Sequence, residues 1–235
     1  MSTSICEIYS SYNGGRSGEL LDLLQITEMR DLKSFSSCHS YPPGTLLFVE
    51  EQQPEKVFML LDGQVKLSVD SSDGKRFILR IAEPGEILGL ESALTGKPYE
   101  MTAETFYSCK IASIGSTDLL EFLARHPSAF KCIALSLSNS YARACARFRT
   151  MSGTPTVAAK LARLLLEFSA SGQQTERGTT LHLTLTHEEI AACVGTCRES
   201  VSRVLCDFRR RNLIARRGSI LTITNRSSLE RCAAS

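Results

Sequence analysis

The chain has no apolar run approaching the ~18 to 20 residues that a bilayer-crossing helix needs. Its start, Met1-Ser2-Thr3-Ser4-Ile5-Cys6-Glu7, lacks a basic stretch followed by an apolar one. Neither a membrane span nor a secretory leader is expected, so the reading is a soluble, cytoplasmic protein with no membrane partner. Histidine is scarce, with four residues in 235. Cysteine is not scarce, but its nine residues are an odd number, scattered at 6, 38, 109, 132, 145, 193, 197, 206 and 232. A complete set of intrachain disulfides is thereby excluded, and reduced thiols are expected. There is no internal repeat, no low-complexity tract, no nucleophile elbow and no Gly-rich phosphate loop, so no catalytic residue is assigned.

What is present is ordinary globular composition, 43% hydrophobic and 22% charged, enough for one large or two modest domains. The net charge of +2 conceals a division along the chain. Residues 154–235 carry 12 Lys and Arg against 7 Asp and Glu, which leaves 15 against 18 for residues 1–153. The basic third clusters its charge as Arg198, Arg203, Arg209-Arg210-Arg211 and Arg216-Arg217. Such a segment on an otherwise slightly acidic chain suggests a polyanionic partner, although an Arg run alone is more often a solvated face.

From Tyr41 to about Ile114, short β-type runs alternate with turn residues. The pattern predicts strands over Thr45–Val49, Lys56–Leu61, Gln64–Val69, Arg76–Ile81 and Ser108–Ile114. The Asp-Gly steps at 62–63 and 73–74 signal hairpins, because glycine takes positive φ without steric cost. Strands at this spacing indicate an antiparallel sandwich or roll. A helical period takes over near Thr117, with a short helix ending before His126-Pro127. From Ser128 to Met151, Phe130, Ile133, Leu137, Tyr141, Ala144, Phe148 and Met151 recur at intervals of three and four, one stripe of a long helix. A second copy of the chain is the economical partner for that stripe, with packing on its own domain as the alternative. Ser152-Gly153-Thr154-Pro155 reads as a hinge, and a further helix is predicted over Val157–Phe168. Thr180–Leu185 and Ile220–Ile223 alternate like strands. The expected domains are a sensor over 1–127 with an N-terminal extension, a dimerisation helix and hinge over 128–153, and a DNA-binding domain over 154–235.

The most informative stretch runs from Thr186 to Leu205. Thr186 with Glu189 forms a capping-box pattern, Ile190 and Val194 supply an apolar face, and Ala191 is small where two helices would cross. Gly195 supplies a tight turn, and Val201, Val204 and Leu205 brace a second helix. These are the internal requirements of a helix-turn-helix. The other face of the second helix carries Arg198, Glu199, Ser202 and Arg203, with Thr186 and Thr196 at its border. Arg can chelate guanine, Glu can accept from cytosine, and Ser can reach a base or a phosphate. Cys193 and Cys197 flank the turn, where small apolar side chains are useful for packing.

From about Tyr41 onward the chain resembles the Crp/Fnr family of bacterial transcription regulators. The resemblance is carried by Pro43-Gly-Thr-Leu-Leu-Phe, Phe58-Met-Leu-Leu-Asp-Gly-Gln-Val-Lys-Leu and Pro84-Gly-Glu-Ile-Leu-Gly89, and by the helix-turn-helix residues Thr186-His-Glu-Glu-Ile-Ala and Gly195-Thr-Cys-Arg-Glu-Ser-Val-Ser-Arg203. It implies an α+β fold: an N-terminal antiparallel β-roll of jelly-roll, cyclic-nucleotide-binding type, a long dimerisation helix and a C-terminal winged helix-turn-helix. It implies a homodimer on double-stranded DNA, with RNA polymerase as a partner if the protein activates and a small-molecule effector acting between roll and dimer helix. The family's two recognition patterns, R-E-x-x-x-R and E-x-x-S-R, coexist here as Arg198, Glu199, Ser202 and Arg203, which implies half-sites close to TGTGA or TTGA.

The resemblance fails at the effector pocket. Cyclic-nucleotide members use a Gly-Glu step, an Arg-Ser pair and a Thr-Ser pair from the dimer helix. Aligned without gaps, Gly89 with Leu90, Glu100 with Met101, and Cys145 with Ala146 stand at those places, and only Gly89 keeps the pattern. Glu100, if it occupied that spot, would repel the anion that the missing Arg would hold; a shifted pocket would need Lys97 or Arg143 in its stead. Before the roll only Cys6 and Cys38 occur, too few for the oxygen-sensing branch's iron–sulfur cluster, so no cofactor and no metal are assigned. A thiol redox-responsive regulator is the alternative. A metal-dependent cupin-like enzyme is the competing class, but only His39 lies near the roll, while His126, His182 and His187 fall outside it.

Overall fold

The computed structural model describes residues 28, 31–32, 34–72, 76–152, 156–169 and 172–234, with side chains throughout except at 143 and 146–152. Gly153 and Cys6 lie outside the described residues. The chain divides into two compact units, Met1–Arg143 and Ala144–Ser235.

The first unit is built on eight strands: β1 (Ser36–Tyr41), β2 (Leu46–Phe48), β3 (Lys56–Asp62), β4 (Val65–Asp70), β5 (Arg76–Ala82), β6 (Ile87–Leu88), β7 (Thr102–Thr105) and β8 (Cys109–Gly115). They form two four-stranded antiparallel sheets, in the orders β1-β8-β3-β6 and β2-β7-β4-β5. A one-and-a-half-turn helix, α1 (Leu90–Thr95), follows β6, α2 (Ser116–Arg125) follows β8, and α3 (Ala129–Ser152) starts in this unit and runs past its end at Arg143.

The sequence of β3 is five apolar residues in a row because both of its faces are buried. Phe58 and Leu60 enter the roll interior with Phe48, Leu67, Leu88 and Ile111. Val57, Met59 and Leu61 join a second core on the opposite face, with Leu119, Phe122 and Leu123 of α2 and Ile133 of α3. Strand β8 divides likewise, Ile111 inward and Ala112 with Ile114 outward. Each of the larger apolar side chains among these, fully buried, contributes about 1.5 to 3 kcal/mol.

Two expectations change in this unit. The Asp62-Gly63 step does not close a hairpin: β3 pairs with β6 and β8 while β4 pairs with β5 and β7, so this turn carries the chain from one sheet to the other. Gly63 is required there by close approach as well as by its φ of 89°, since a Cβ would stand 2.6 Å from the Ser108 carbonyl oxygen. By contrast β4 and β5 do pair across the second Asp-Gly step, whose residues 73–75 lie outside the described ones. The α3 stripe is also divided. Ile133 is buried and Leu137 packs against the unit's own outer core, whereas Phe130 and Tyr141 are 51% and 74% exposed. The outer face of the sheet offers α3 a partner that a period-3.6 pattern cannot reveal.

The second unit contains α4 (Val157–Ser169), β9 (Gln173–Thr175), β10 (Gly178–His182), α5 (His187–Val194), α6 (Arg198–Arg210), β11 (Ile214–Arg217), β12 (Ile220–Ile223) and α7 (Arg226–Ala234). Its sheet has the order β11-β12-β10-β9. Leu161, Leu165, Ile190, Val201, Phe208, Leu221 and Leu229 are all fully buried and form its centre. Helix α7 is fastened to α4 at both ends: Arg163 Nε donates to the Ala233 carbonyl at 2.8 Å, and Arg226 donates to Ser169 Oγ at 3.2 Å. The architecture is the expected α+β one, an antiparallel roll, a long helix and a winged helix-turn-helix. Among the described residues no helix is long and apolar enough to cross a membrane.

Candidate nucleic-acid interface

Helix α5 starts at a complete capping box. Thr186 Oγ1 accepts from the Glu189 backbone N–H at 3.2 Å, while the Glu189 carboxylate accepts from the Thr186 backbone N–H at 2.9 Å and from its hydroxyl at 3.0 Å. Both hydrogen-bonding roles of the Thr186 hydroxyl are spent on this cap. The helix ends at Gly195 in the left-handed region, φ 66°, where its N–H bonds the Ala191 carbonyl. Thr196, half-buried, repeats that bond from its own N–H at 3.0 Å. The turn is therefore closed by backbone, and α6 leaves at a fixed angle.

Helix α6 is amphipathic in the required sense. Val201, Leu205 and Phe208 are buried, Val204 is half-buried, and Arg198, Glu199 and Arg203 are exposed on the other side, with Ser202 half-buried among them. Glu199 sits in the first turn, where its own backbone N–H, then the Cys197 thiol and Arg198, hold its carboxyl below the usual range. It is an ionised acceptor throughout the neutral range. Cys193 is buried as expected of a packing residue, but Cys197 is not: it occupies the N-cap of α6, exposed, with its Sγ 3.2 Å from Ser200 Oγ. A cap position faces solvent by its geometry, which overrides the preference of a thiol for the core.

The wing is the β11–β12 hairpin, Arg217 opposite Ile220, turning through Gly218 at φ 59°. Arg216 is half-buried and spends donors within the protein, on the Gly218 carbonyl at 3.0 Å and on His187 Nε2 at 3.4 Å. The other ring nitrogen of His187, Nδ1, lies 2.7 Å from Ser202 Oγ. His187 thus touches both the second helix and the wing. Sequence reasoning had no spacing signal for it, because its partners are 15 and 29 residues away on separate elements. Arg209, Arg210 and Arg217 remain exposed, and Arg211 pairs with Asp207 at 3.3 Å.

The residues proposed for an effector pocket have different surroundings, each within its own unit. Gly89, at φ 77°, borders the roll interior, and Met101 packs against that interior from a partly buried position. Leu90 turns instead into the outer core, and Glu100 and Lys97 are exposed. Cys145 is half-buried in the second unit, and the side chains of Ala146 and Arg143 lie outside the description. The space beside Gly89 is taken by Tyr99, which sequence reasoning missed. A Cβ on Gly89 would stand 2.7 Å from its ring. The Tyr99 ring is 3% exposed, stacks on Phe48 with centroids 4.1 Å apart, and donates its hydroxyl to the Lys56 carbonyl. Burial pushes its phenol pKa up.

Residues 38–126 match the family described as the cyclic nucleotide-binding domain, and residues 159–232 match the Crp-like helix-turn-helix domain. The chain is 30% identical over 189 residues to the transcriptional regulator LdrP of Thermus thermophilus, covering 80% of this chain and 93% of that one. It is 28% identical over 195 residues to a CRP-like cAMP-activated global transcriptional regulator of Mycobacterium tuberculosis, covering 82% and 86%. Among solved structures, a CRP-family transcriptional regulator from Thermus thermophilus superposes with a TM-score of 0.73 at 28% identity, over 84% of this chain and 97% of that one.

Proposed function

The chain belongs to the CRP/FNR family of transcriptional regulators, and we propose that it acts as a homodimer reading an inverted repeat in double-stranded DNA, with a roll that no longer takes a cyclic nucleotide. The observation that carries the DNA reading is the exposed face of α6, which holds Arg198, Glu199 and Arg203 over a fully buried brace of Val201 and Phe208. Glu199 and Arg203 share one G·C pair, Arg198 reads a second guanine, and Ser202 reads an adjoining base. Thr186 and Thr196 border this surface, Thr186 as the cap that fixes the first helix.

Residues 1–127 serve as the sensor, 128–153 as dimerisation helix and hinge, and 154–235 as the DNA-binding domain. Exposed Phe130 and Tyr141 on α3 support pairing with a second copy. A two-fold dimer places two recognition helices about one helical turn apart, ~34 to 36 Å, in successive major grooves. RNA polymerase is the partner where the protein activates. Its relatives and its fold are those of regulators, which supports a non-enzymatic role.

The Mycobacterium relative is named as cAMP-activated. Here the Tyr99 ring against Gly89 supports the loss of that ligand, leaving any effector to a different chemical class. Calorimetry with millimolar cyclic AMP or cyclic GMP is expected to give no stoichiometric isotherm, and a micromolar one that changes DNA affinity would overturn this part. Randomised-site selection with the full chain tests the rest: a two-fold motif is expected, and its absence sinks the dimeric reading.

A further inference from the structure

His187 stands between two of the parts that would meet DNA. A guanidinium has donors only, so the 3.4 Å bond from Arg216 Nη1 requires an unprotonated Nε2. A neutral imidazole with a bare Nε2 carries its proton on Nδ1, and that N–H can only donate, across 2.7 Å, to Ser202 Oγ. The Ser202 oxygen is then an acceptor toward the ring, and its own proton is directed away from it. The Ser202 hydroxyl lies on the same side of α6 as Arg198, Glu199 and Arg203.

We propose that His187 is a positioning residue of the DNA-reading surface: it fixes Ser202 as a hydrogen-bond donor toward the major groove and ties the wing, through Arg216, to the recognition helix. The inference rests on the reading of α6 given above and adds a specificity to it. A donor at Ser202 selects a base presenting an acceptor, such as guanine O6 or N7, adenine N7 or thymine O4, and disfavours cytosine, whose groove edge offers an amino donor. Partial burial, then Arg216 of β11 and Arg198 of α6, the charged groups facing the ring, all favour its neutral form. An imidazolium would put a second N–H against Arg216 and break the wing contact.

Two measurements on the full chain test this. Long-range proton–nitrogen NMR of the wild type, with the His187 signal identified by its loss in His187→Phe, is expected to show the Nδ1-protonated tautomer; an Nε2-protonated ring overturns the proposal. Randomised-site selection is then run on wild type, Ser202→Ala, His187→Phe, His187→Gln, the Ser202→Ala/His187→Phe double variant and Arg203→Ala. His187→Phe is expected to relax preference at the same base pair as Ser202→Ala, by roughly twofold to tenfold, the range of one hydrogen bond. The double variant should lose no more at that pair than Ser202→Ala alone, and His187→Gln, whose amide can donate and accept, should regain preference. If His187→Phe weakens all sequences alike, or its effect adds to that of Ser202→Ala, His187 is merely structural and the proposal falls. If Arg203→Ala relaxes its base pair while Ser202→Ala and His187→Phe change nothing, only this inference fails. If Arg203→Ala also keeps the wild-type preference, the reading of α6 fails with it. Should His187→Phe not fold, the His187 signal is identified by its loss in His187→Gln, and the tautomer and the His187→Gln selection decide.

Discussion

The roll turns the aromatic ring beside Gly89 inward, whereas the helix-turn-helix turns its charged side chains outward. In the helix-turn-helix Arg198, Glu199 and Arg203 are exposed on α6, which follows a turn closed by backbone hydrogen bonds. In the roll the space next to Gly89 is filled by the Tyr99 ring, which stacks on Phe48. A roll interior is needed for packing alone, because β3 and β8 require it filled whatever fills it. A reading surface has no such use: exposed Arg and Glu bring nothing to the core.

The largest expected effect lies on the roll side of that comparison. Tyr99→Ala removes a buried ring that stacks on Phe48 and lies against Gly89, and large-to-small changes of this kind cost about 3 to 5 kcal/mol. Urea unfolding followed by tyrosine fluorescence reads the first unit alone, since the chain has no Trp and residues 144–235 contain no Tyr. A loss under about 1 kcal/mol would mean that the interior does not depend on this side chain as a core residue.

On the other side, Arg203→Ala should cost about 1 to 3 kcal/mol in DNA binding and relax preference at one base pair. Arg209→Ala should weaken all sequences together and lower the salt slope by about one. Arg209 serves as the phosphate control because Arg216, which the sequence ranks beside it, spends donors on Gly218 and His187. Salt titrations of both variants on matched and scrambled sites separate the two roles, and identical behaviour would erase the distinction between reading and holding.

How much of this was legible follows from where each signal resides. The helix-turn-helix could be read directly, because capping box, turn glycine and apolar brace fall within 20 consecutive residues and the outward face is what the brace leaves over. The apolar strands β3, β4, β5 and β8 were readable for the same reason. Strands β1, Ser36-Ser-Cys-His-Ser-Tyr41, and β9, Gln173-Gln-Thr175, were not: each is polar, lies at a sheet edge, and is a strand because its neighbour pairs with it. Asp62-Gly63 misled because a turn signal says that the chain reverses and not which strand it pairs with next. Tyr99 and His187 were invisible because their roles depend on partners brought together only by the tertiary fold.

The smallest expected effect concerns His187 and pH, and it sharpens the comparison by asking whether the reading surface has an interior of its own. Partial burial first, then Arg216 and Arg198, lower the ring's pKa below the usual histidine value. The folded state therefore binds this proton less readily than the unfolded chain, whose histidine titrates near about 6.5, so stability rises with pH across the window below that value. The contribution is complete above about pH 6.5 and is lost as pH falls through the lowered folded value. Hydrogen exchange at the Phe208 amide, in the buried middle of α6, reports it without a fluorophore. Protection in the wild type relative to His187→Phe should decline between about pH 7.5 and about pH 5.5, since only the wild type carries the titrating ring. A difference that stays flat across that interval, or grows toward acid, would show that His187 is as easily protonated in the fold as outside it, and that the contact with Arg216 does not hold the ring neutral.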